Sequence, residues 1–511
     1  MMARTLSRML LSAILIGPSV LSAQQGASVS TTAPMPLSLD EALRLAAGTS
    51  ESVALARAGE QRARGQQAQA RSALMPQLAT TLNWQKQLQN QFAAIAKRAG
   101  TDNSGGSTGG DTTTAGGDAT SSITRIFASE YNFSFGLTAN QPLYTGGRAT
   151  ANIRAARAGR ESAEIGITSA QAQVKLDVTQ AYYDALLADR LLTISDSTIV
   201  QAERTLRQVQ LTRSVGSTSE FELIRARVTR DNQRPAWLQA RTSRDLAYTR
   251  LRQLLDIPDD RPLALTDSIV ETAATATVAP APVTTVNVSA SEVLRIDPAV
   301  QARVARTLGE SDTDIARRAP VRQALKGVEV AQQQLKATKA SRIPQIAATS
   351  TYQRLAYPTN VLPGSFSDFF PNWTVGVGLS FPFFTGGRVR GEILAAEAAV
   401  NEAKQRLKLA QEGAALDARA SSLRLSEAEA AWQASVGTAE QAQRAYEIAE
   451  VRFREGISTQ LELSETRVQL QQALANRARA ARDLQVARKR LELLRDLPLS
   501  SGSTTSTGSN P

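Results

Sequence analysis

The chain contains no cysteine and no histidine. Their absence removes Ser-His-Asp and Cys-His nucleophile systems, thiol redox chemistry, disulfides, and the usual ligand sets for zinc, copper and haem. Aromatic residues make up only 5%. Beyond the N-terminus no apolar run approaches the roughly 20 residues that a membrane-crossing helix needs. No constellation of acid, base and nucleophile is visible, so the sequence reads as a non-enzyme with no catalytic, cofactor-binding or metal-binding residues. Charge leans basic: 58 Lys and Arg stand against 47 Asp and Glu, a net +11 over 511 residues. A basic excess gathered on one face would suit nucleic acid. Here the basic residues are spread along the chain, which fits solvated helix faces and excludes nucleic acid as the expected partner.

What is present begins with an address. Arg4 and Arg8 precede a short apolar run at residues 9–20, and Leu21-Ser22-Ala23 ends it on a small residue. This pattern predicts a secretory signal peptide over residues 1–23 and export to a bacterial envelope. Without cysteine, the mature chain has no site for an N-terminal lipid anchor.

The chain is then a duplication of itself. Pro142-Leu143-Tyr144-Thr145-Gly146-Gly147-Arg148 returns as Pro382-Phe383-Phe384-Thr385-Gly386-Gly387-Arg388. The same spacing of 240 relates Gly216 to Gly456 and Asp256-Ile257-Pro258 to Asp496-Leu497-Pro498. Pro76-Gln77 matches Pro344-Gln345 at a spacing larger by 28, which locates an insertion in the first copy. It is visible as a Gly/Ser/Thr-rich stretch within a predicted loop at residues 86–130. The expected organisation is a first repeat over 24–256, an irregular equatorial linker over 257–297, a second repeat over 298–498, and a disordered tail over 499–511.

Around each loop, residues alternate with period two. Leu78, Thr80, Leu82 and Trp84 share one face; Tyr131, Phe133, Phe135 and Leu137 share another; Trp373, Val375, Val377 and Leu379 repeat the pattern. The intervening residues are small and polar: Thr, Ser, Gly and Asn. Segments of about 10 residues suffice to cross a bilayer as tilted strands. Trp84, Tyr131, Tyr352 and Trp373 lie at the loop ends, and Tyr144, Phe383 and Phe384 at the opposite ends. That is the double aromatic girdle expected at two membrane interfaces, and it predicts contact with membrane lipid. Four strands cannot close a barrel, and open edges are not tolerated in lipid. If these strands span a membrane, several chains must therefore share one barrel, and three chains supply twelve strands.

Residues 148–213 contain no proline and are rich in good helix formers. Val178, Ala185, Leu192, Ile199 and Leu206 recur seven apart, with Ala181, Ala188, Ala202 and Val209 three further on, a coiled-coil seam of small residues. The predicted helix makes a rod of roughly 100 Å. The second copy repeats it from Arg388. Turns at Gly216 and Gly456 lead into return helices about half as long, over 220–255 and 460–494. Helices over 39–74 and 320–341 supply the missing halves, stacked end to end. Pro235 predicts a kink in the first return helix. Thr145-Gly146-Gly147-Arg148 precedes a helix as a phosphate loop does, but lacks the Gly-Lys-Ser/Thr ending. It reads instead as a strand-to-helix joint, repeated in the second copy: Pro142 and Pro382 end strand pairing, while Gly146, Gly147, Gly386 and Gly387 permit the bend.

The paired Pro-Gln strand starts, the paired Thr-Gly-Gly-Arg motifs and the Gly turns resemble the TolC family of bacterial outer-membrane efflux proteins. Arg452-Phe453-Arg454-Glu455-Gly456-Ile457-Ser458-Thr459-Gln460-Leu461-Glu462-Leu463 looks like that family's second tip, and Val215-Gly216 like its first. The resemblance implies a mostly α fold with transmembrane β: a TolC-like homotrimer with a shared 12-stranded barrel continuing into a coiled-coil periplasmic tunnel. It implies an outer-membrane exit duct that catalyses nothing, serving a tripartite efflux pump or type I secretion system. The partners implied are a periplasmic adaptor and an inner-membrane transporter. The resemblance assigns adaptor docking to Val215, Gly216, Ser217, Gly456, Ile457 and Ser458, and a tunnel-mouth gate or selectivity ring to Glu222, Phe453, Glu462 and Glu465. Arg225 stands where the first copy would match Glu465. The alternative is a non-transporting structural coiled-coil protein of the envelope.

Overall fold

The computed structural model describes residues 34–88, 131–258, 261–269, 302, 314–358, 365 and 369–499. The expected signal peptide, nearly all of the 86–130 loop, most of the 257–297 linker and nearly all of the tail lie outside the described residues. The chain opens with a short strand β1 (Met35–Leu37) and helices α1 (Leu39–Thr49) and α2 (Glu51–Ser72). Strands β2 (Gln77–Lys86) and β3 (Tyr131–Tyr144) follow, then a long helix α3 (Arg148–Ser214) and a return helix α4 (Glu220–Leu255). After a three-residue strand β4 (Leu263–Leu265), the series recurs: α5 (Ala319–Lys339), β5 (Gln345–Ala356), β6 (Phe369–Ser380), α6 (Arg388–Arg454) and α7 (Gln460–Glu492). No helix among the described residues is long and apolar enough to cross a membrane.

The two long helices have 67 residues each, and their return helices 36 and 33. The seam of α3 faces inward as its periodicity requires. Val178, Ala181, Ala185, Ala188, Ala202, Leu206 and Val209 are buried, while Leu192 and Ile199 are half-buried. Cross-helix polar pairs zip α3 to α4. Trp237 Nε1 donates to Asp196, the Tyr248 hydroxyl to Asp189, and Arg244 Nε to the same Asp189 at 2.6 Å. α4 is continuous across Pro235, which lies exposed.

The half-length helices do meet end to end. The Ala319 amide, opening α5, donates to the Arg495 carbonyl just past α7 at 2.8 Å. Arg318 clamps this junction from a wholly buried position. Its guanidinium donates to the carbonyls of Leu494 (3.1 Å) and Ala414 (3.0 Å) and to Asp417 Oδ2 (2.7 Å). Arg490 reaches the second oxygen of Asp417 at 3.1 Å. At the other junction, below α4, β1 pairs in parallel with β4. The Tyr182 hydroxyl donates to the Leu37 carbonyl (3.0 Å) and Asp267 (2.7 Å) there. The largest apolar core, including Tyr182, Leu251, Leu425, Trp432, Leu484 and Leu494, lies at the height of these junctions.

Three expectations need correction. The first half-length stretch is two helices, not one, because Ser50 takes an extended conformation (φ −62°, ψ 119°) between them. The linker is not wholly irregular, since it contains β4. Pro142 does not end strand pairing: it sits opposite Ala347, and β3 runs on through a bulge to pair Tyr144 with Ile346. This is tolerated because β2 stops pairing with β3 at Asn140, leaving one side of Pro142 without a ladder to satisfy. Pro382 does lie beyond the end of its strand, β6.

Four antiparallel strands form one sheet in the order β2-β3-β5-β6. Each joint from sheet to long helix carries two left-handed glycines, Gly146 (φ 62°) and Gly147 (φ 87°), and Gly386 (φ 59°) and Gly387 (φ 85°). The joints are not equally tight. A Cβ on Gly146 would stand 2.8 Å from Ile343 Cβ and 3.1 Å from the Ala340 carbonyl oxygen, whereas one on Gly386 meets open space within the protomer. Gly386→Ala should therefore carry only the left-handed penalty of about 1–2 kcal/mol. Gly146→Ala should destabilise more, because backbone must move as well. Thermal unfolding of the two variants checks this, and equal losses would refute the packing difference.

Candidate membrane barrel and tunnel tip

The register places one apolar face on the sheet. Leu78, Leu82 and Trp84 lie opposite Ala139, Phe135 and Phe133; Tyr352 lies opposite Leu137 on one side and Trp373 on the other. Val375, Val377 and Leu379 are 69–73% exposed, so nothing among the described residues covers them. The opposite face carries Thr81, Gly136, Gln353, Thr351, Thr374 and Gly376, all uncharged. Gly136 is required there, because a Cβ would sit 2.8 Å from Thr81 Oγ1. An apolar outer face and a small polar inner face are the pattern of a strand between lipid and an aqueous lumen.

The loop-end girdle residues come together. Trp84 stacks on Tyr131 with ring centroids 6.1 Å apart, and Trp373 Nε1 donates to Ser350 at 3.0 Å beside Tyr352. At the helix end, Tyr144, Phe383 and Phe384 project outward and are exposed. The apolar face also carries two charged residues that strand alternation alone does not single out, Lys86 and Arg354. Both sit at the loop end and are held by girdle tyrosines. Lys86 Nζ lies 5.4 Å from the Tyr131 ring centroid, and Arg354 Nε donates to the Tyr352 hydroxyl at 2.9 Å. Long cationic side chains at a lipid–water boundary keep their heads in the polar layer. A lone charge next to an aromatic at a strand end was the available signal.

At the far end of the rods, both helical hairpins turn on a left-handed glycine, Gly216 (φ 78°) and Gly456 (φ 76°). The Ser217 amide returns to the Thr212 carbonyl at 3.0 Å, and the Ile457 amide to the Arg452 carbonyl at 2.8 Å. These are six-to-one closures that satisfy the last helical carbonyls. Val215 and Ile457 are exposed at the turns, while Ser458 is half-buried.

Glu222 and Glu462 have a second role that spacing reveals. Ser219 and Thr459 cap α4 and α7, each accepting from the amide three residues on, Glu222 or Glu462, at 3.3 Å. Ser-x-x-Glu and Thr-x-x-Glu are capping-box sequences, legible in advance. Both carboxylates are engaged inside the protomer. The Gln460 amide, oriented by its hydrogen bonds, donates to Glu222 at 2.6 Å, and Arg452 pairs with Glu462 at 3.4 Å. Glu465 is exposed. Phe453 is half-buried and packs into two clusters at once, Tyr446, Ala449, Leu463 and Leu470 of its own hairpin and Leu206, Val209 and Ala226 of the other. It is therefore an apolar bridge between the hairpins. The structure brings Phe453, Glu222 and Glu462 to one end of the rods, and leaves the girdle and joint residues at the other.

Solved structures share this architecture. The CmeC outer membrane channel of Campylobacter jejuni superposes with a TM-score of 0.65 at 14% identity, covering 90% of this chain and 86% of that one. For VceC of Vibrio cholerae the values are 0.63, 17%, 89% and 95%. For the open state of the Neisseria gonorrhoeae MtrE outer membrane channel they are 0.62, 17%, 90% and 89%. At such identity the likeness establishes the fold, which is TolC-like. No curated protein sequence matches the chain significantly. The sequence model of the outer membrane efflux protein family matches residues 42–256 and 312–495. With all four sheet strands and both helical hairpins inside those matched residues, the chain belongs to the outer membrane efflux protein family.

Proposed function

We propose that three copies of this chain form a passive exit duct through the outer membrane, part of a tripartite efflux pump or type I secretion system. One observation carries the reading. Among the described residues, a sheet with an uncovered apolar face and two unpaired edges continues, through glycine joints, into rods of 67 residues. Such a sheet is stable in lipid only when its edges close on copies of itself, and twelve strands leave a water-filled lumen. The rods extend about 100 Å beyond it, a distance suited to meeting partners in the periplasm. In this reading a periplasmic adaptor meets the turns at Val215-Gly216-Ser217 and Gly456-Ile457-Ser458, and an inner-membrane transporter supplies substrate and energy. The duct contributes a path and catalyses nothing.

Native mass spectrometry of protein extracted from outer membranes, followed by conductance in planar bilayers, tests the proposal. A trimer that forms pores is the expected result; a soluble monomer without conductance overturns it. Val215→Asp with Ile457→Asp should keep trimers and conductance while abolishing export, because neither side chain is buried. Export at the wild-type rate would remove the docking role. A ring of carboxylates at a narrow mouth favours cations. Glu465→Gln should weaken any cation preference more than Glu462→Gln, since Glu462 is already paired with Arg452. Unchanged reversal potentials in both variants would remove the ring.

A further inference from the structure

Near the tips, Arg467 of α7 is only 4% exposed. Among the described residues it makes no ion pair, and its Nε–H has no hydrogen-bond acceptor. This is unusual. Removing a guanidinium from water is costly unless a partner replaces the lost hydration. The other deeply buried arginine, Arg318, has two carbonyls and a carboxylate. Burial pushes the pKa of Arg467 down, opposed in part by its interaction with Tyr446.

Arg467 lines a small, partly open cavity of about 10 Å³ between the two hairpins. That is room for about one solvent-sized particle. Ala202, Ala226 and Leu463 form its apolar walls, and Thr205, Thr229, Gln460 and Ser464 its polar ones. Their protons decide what fits. Thr205 donates its hydroxyl proton to the Gln201 carbonyl (3.1 Å) and Thr229 to the Arg225 carbonyl (2.9 Å). The Gln460 amide is turned to Glu222. Arg467 Nε–H and the Ser464 hydroxyl are left as groups able to donate inward. The flanking carboxylates are engaged elsewhere, Glu222 by Gln460 and Glu462 by Arg452.

We infer that this cavity is a binding site for one monatomic anion, chloride in the cell, held by Arg467 and Ser464 between the α3–α4 hairpin and α7. A neutral water would hydrogen-bond there but leave the positive charge uncompensated. An anion supplies both the acceptor and the charge. Chloride is larger than water, so the cavity must widen to take it, and the long Arg467 side chain is the wall that can yield. Seated between the hairpins, the anion acts as an electrostatic staple holding them together. The inference rests on this protomer alone and stands whether or not the chain is an export duct.

Two measurements on the purified full chain decide it. Crystals soaked in bromide should show an anomalous peak beside Arg467 Nε and Ser464 Oγ. Melting midpoints in detergent should be higher in sodium chloride than in sodium gluconate at equal ionic strength. Arg467→Met should abolish that difference, and Ser464→Ala should reduce it. The bromide experiment needs no variant, so it decides even if Arg467→Met fails to fold. Density for a water with no anomalous peak overturns the inference. So does a chloride dependence that persists undiminished in both variants.

Discussion

Replacing Arg318 with Met should destabilise the chain by about 3–5 kcal/mol, the usual loss when one partner of a buried ion pair is removed. Arg318 is fully buried and Asp417 is 5% exposed, so solvent cannot compensate either group. The change leaves the Leu494 and Ala414 carbonyls short of a donor. It also takes from Asp417 its 2.7 Å partner, while Arg490 stays on the other oxygen at 3.1 Å. The damage is local in chemistry and global in effect. Arg318 joins the end of α7 to the start of α5, and that junction aligns two short helices into the equivalent of one long one. Asp417→Asn should recover part of the loss when combined with Arg318→Met, because it removes a buried charge that has lost its closest partner. A double-mutant cycle read by denaturant unfolding measures the coupling. A single-variant loss below about 1 kcal/mol, within the range of exposed pairs, would show that the junction does not depend on this clamp.

Val375→Arg should prevent stable insertion into the membrane, and Thr374→Arg, one residue away, should not. The two side chains lie near the middle of β6 on opposite faces of the sheet. A lipid-facing arginine near the bilayer midplane costs about 2–4 kcal/mol in a barrel. Three symmetry-related copies would multiply that in one assembly. On the lumen side an arginine stays hydrated, and its effect appears in ion selectivity. Outer-membrane fractionation and folding assays in lipid vesicles separate the two. If both variants insert equally well, the apolar face of this sheet does not meet lipid.

Much of this architecture is legible in the chain itself. The 240-residue repeat places α3 and α6 in register, and the actual helices begin at Arg148 and Arg388 and end at Ser214 and Arg454. Strand faces follow from alternation because an apolar residue misplaced by one position would face the lumen. The junctions were not legible. β1 and β4 have three residues each, too few for a period, and they pair across more than two hundred residues of chain. Arg318 reads as one more arginine in a chain full of them; only the packed structure shows that no water reaches it. Arg467 was hidden in the same way. At the tips, Phe453 read as an aromatic near a gate, and it bridges two hairpins whose contact no local pattern encodes. Pro142 read as a strand terminator because the early end of β2, which makes the proline tolerable, cannot be seen from Pro142 itself.

The sheet order has a consequence for how the protein comes into being. β3 pairs with β2, the strand before it in the chain, but its other edge waits for β5, with Phe133 opposite Ala356. Because the chain is made from its N-terminus, the β2–β3 segment exists long before the strand that completes the sheet. During that interval an apolar ribbon and the whole of α3 and α4 must stay in the periplasm without aggregating, since unpaired strand edges recruit one another. Helical hairpins have mostly local contacts and form quickly, whereas the sheet has distant ones and forms late. The rods are thus in place first, and the strands gather at the ends of preformed helices rather than the reverse.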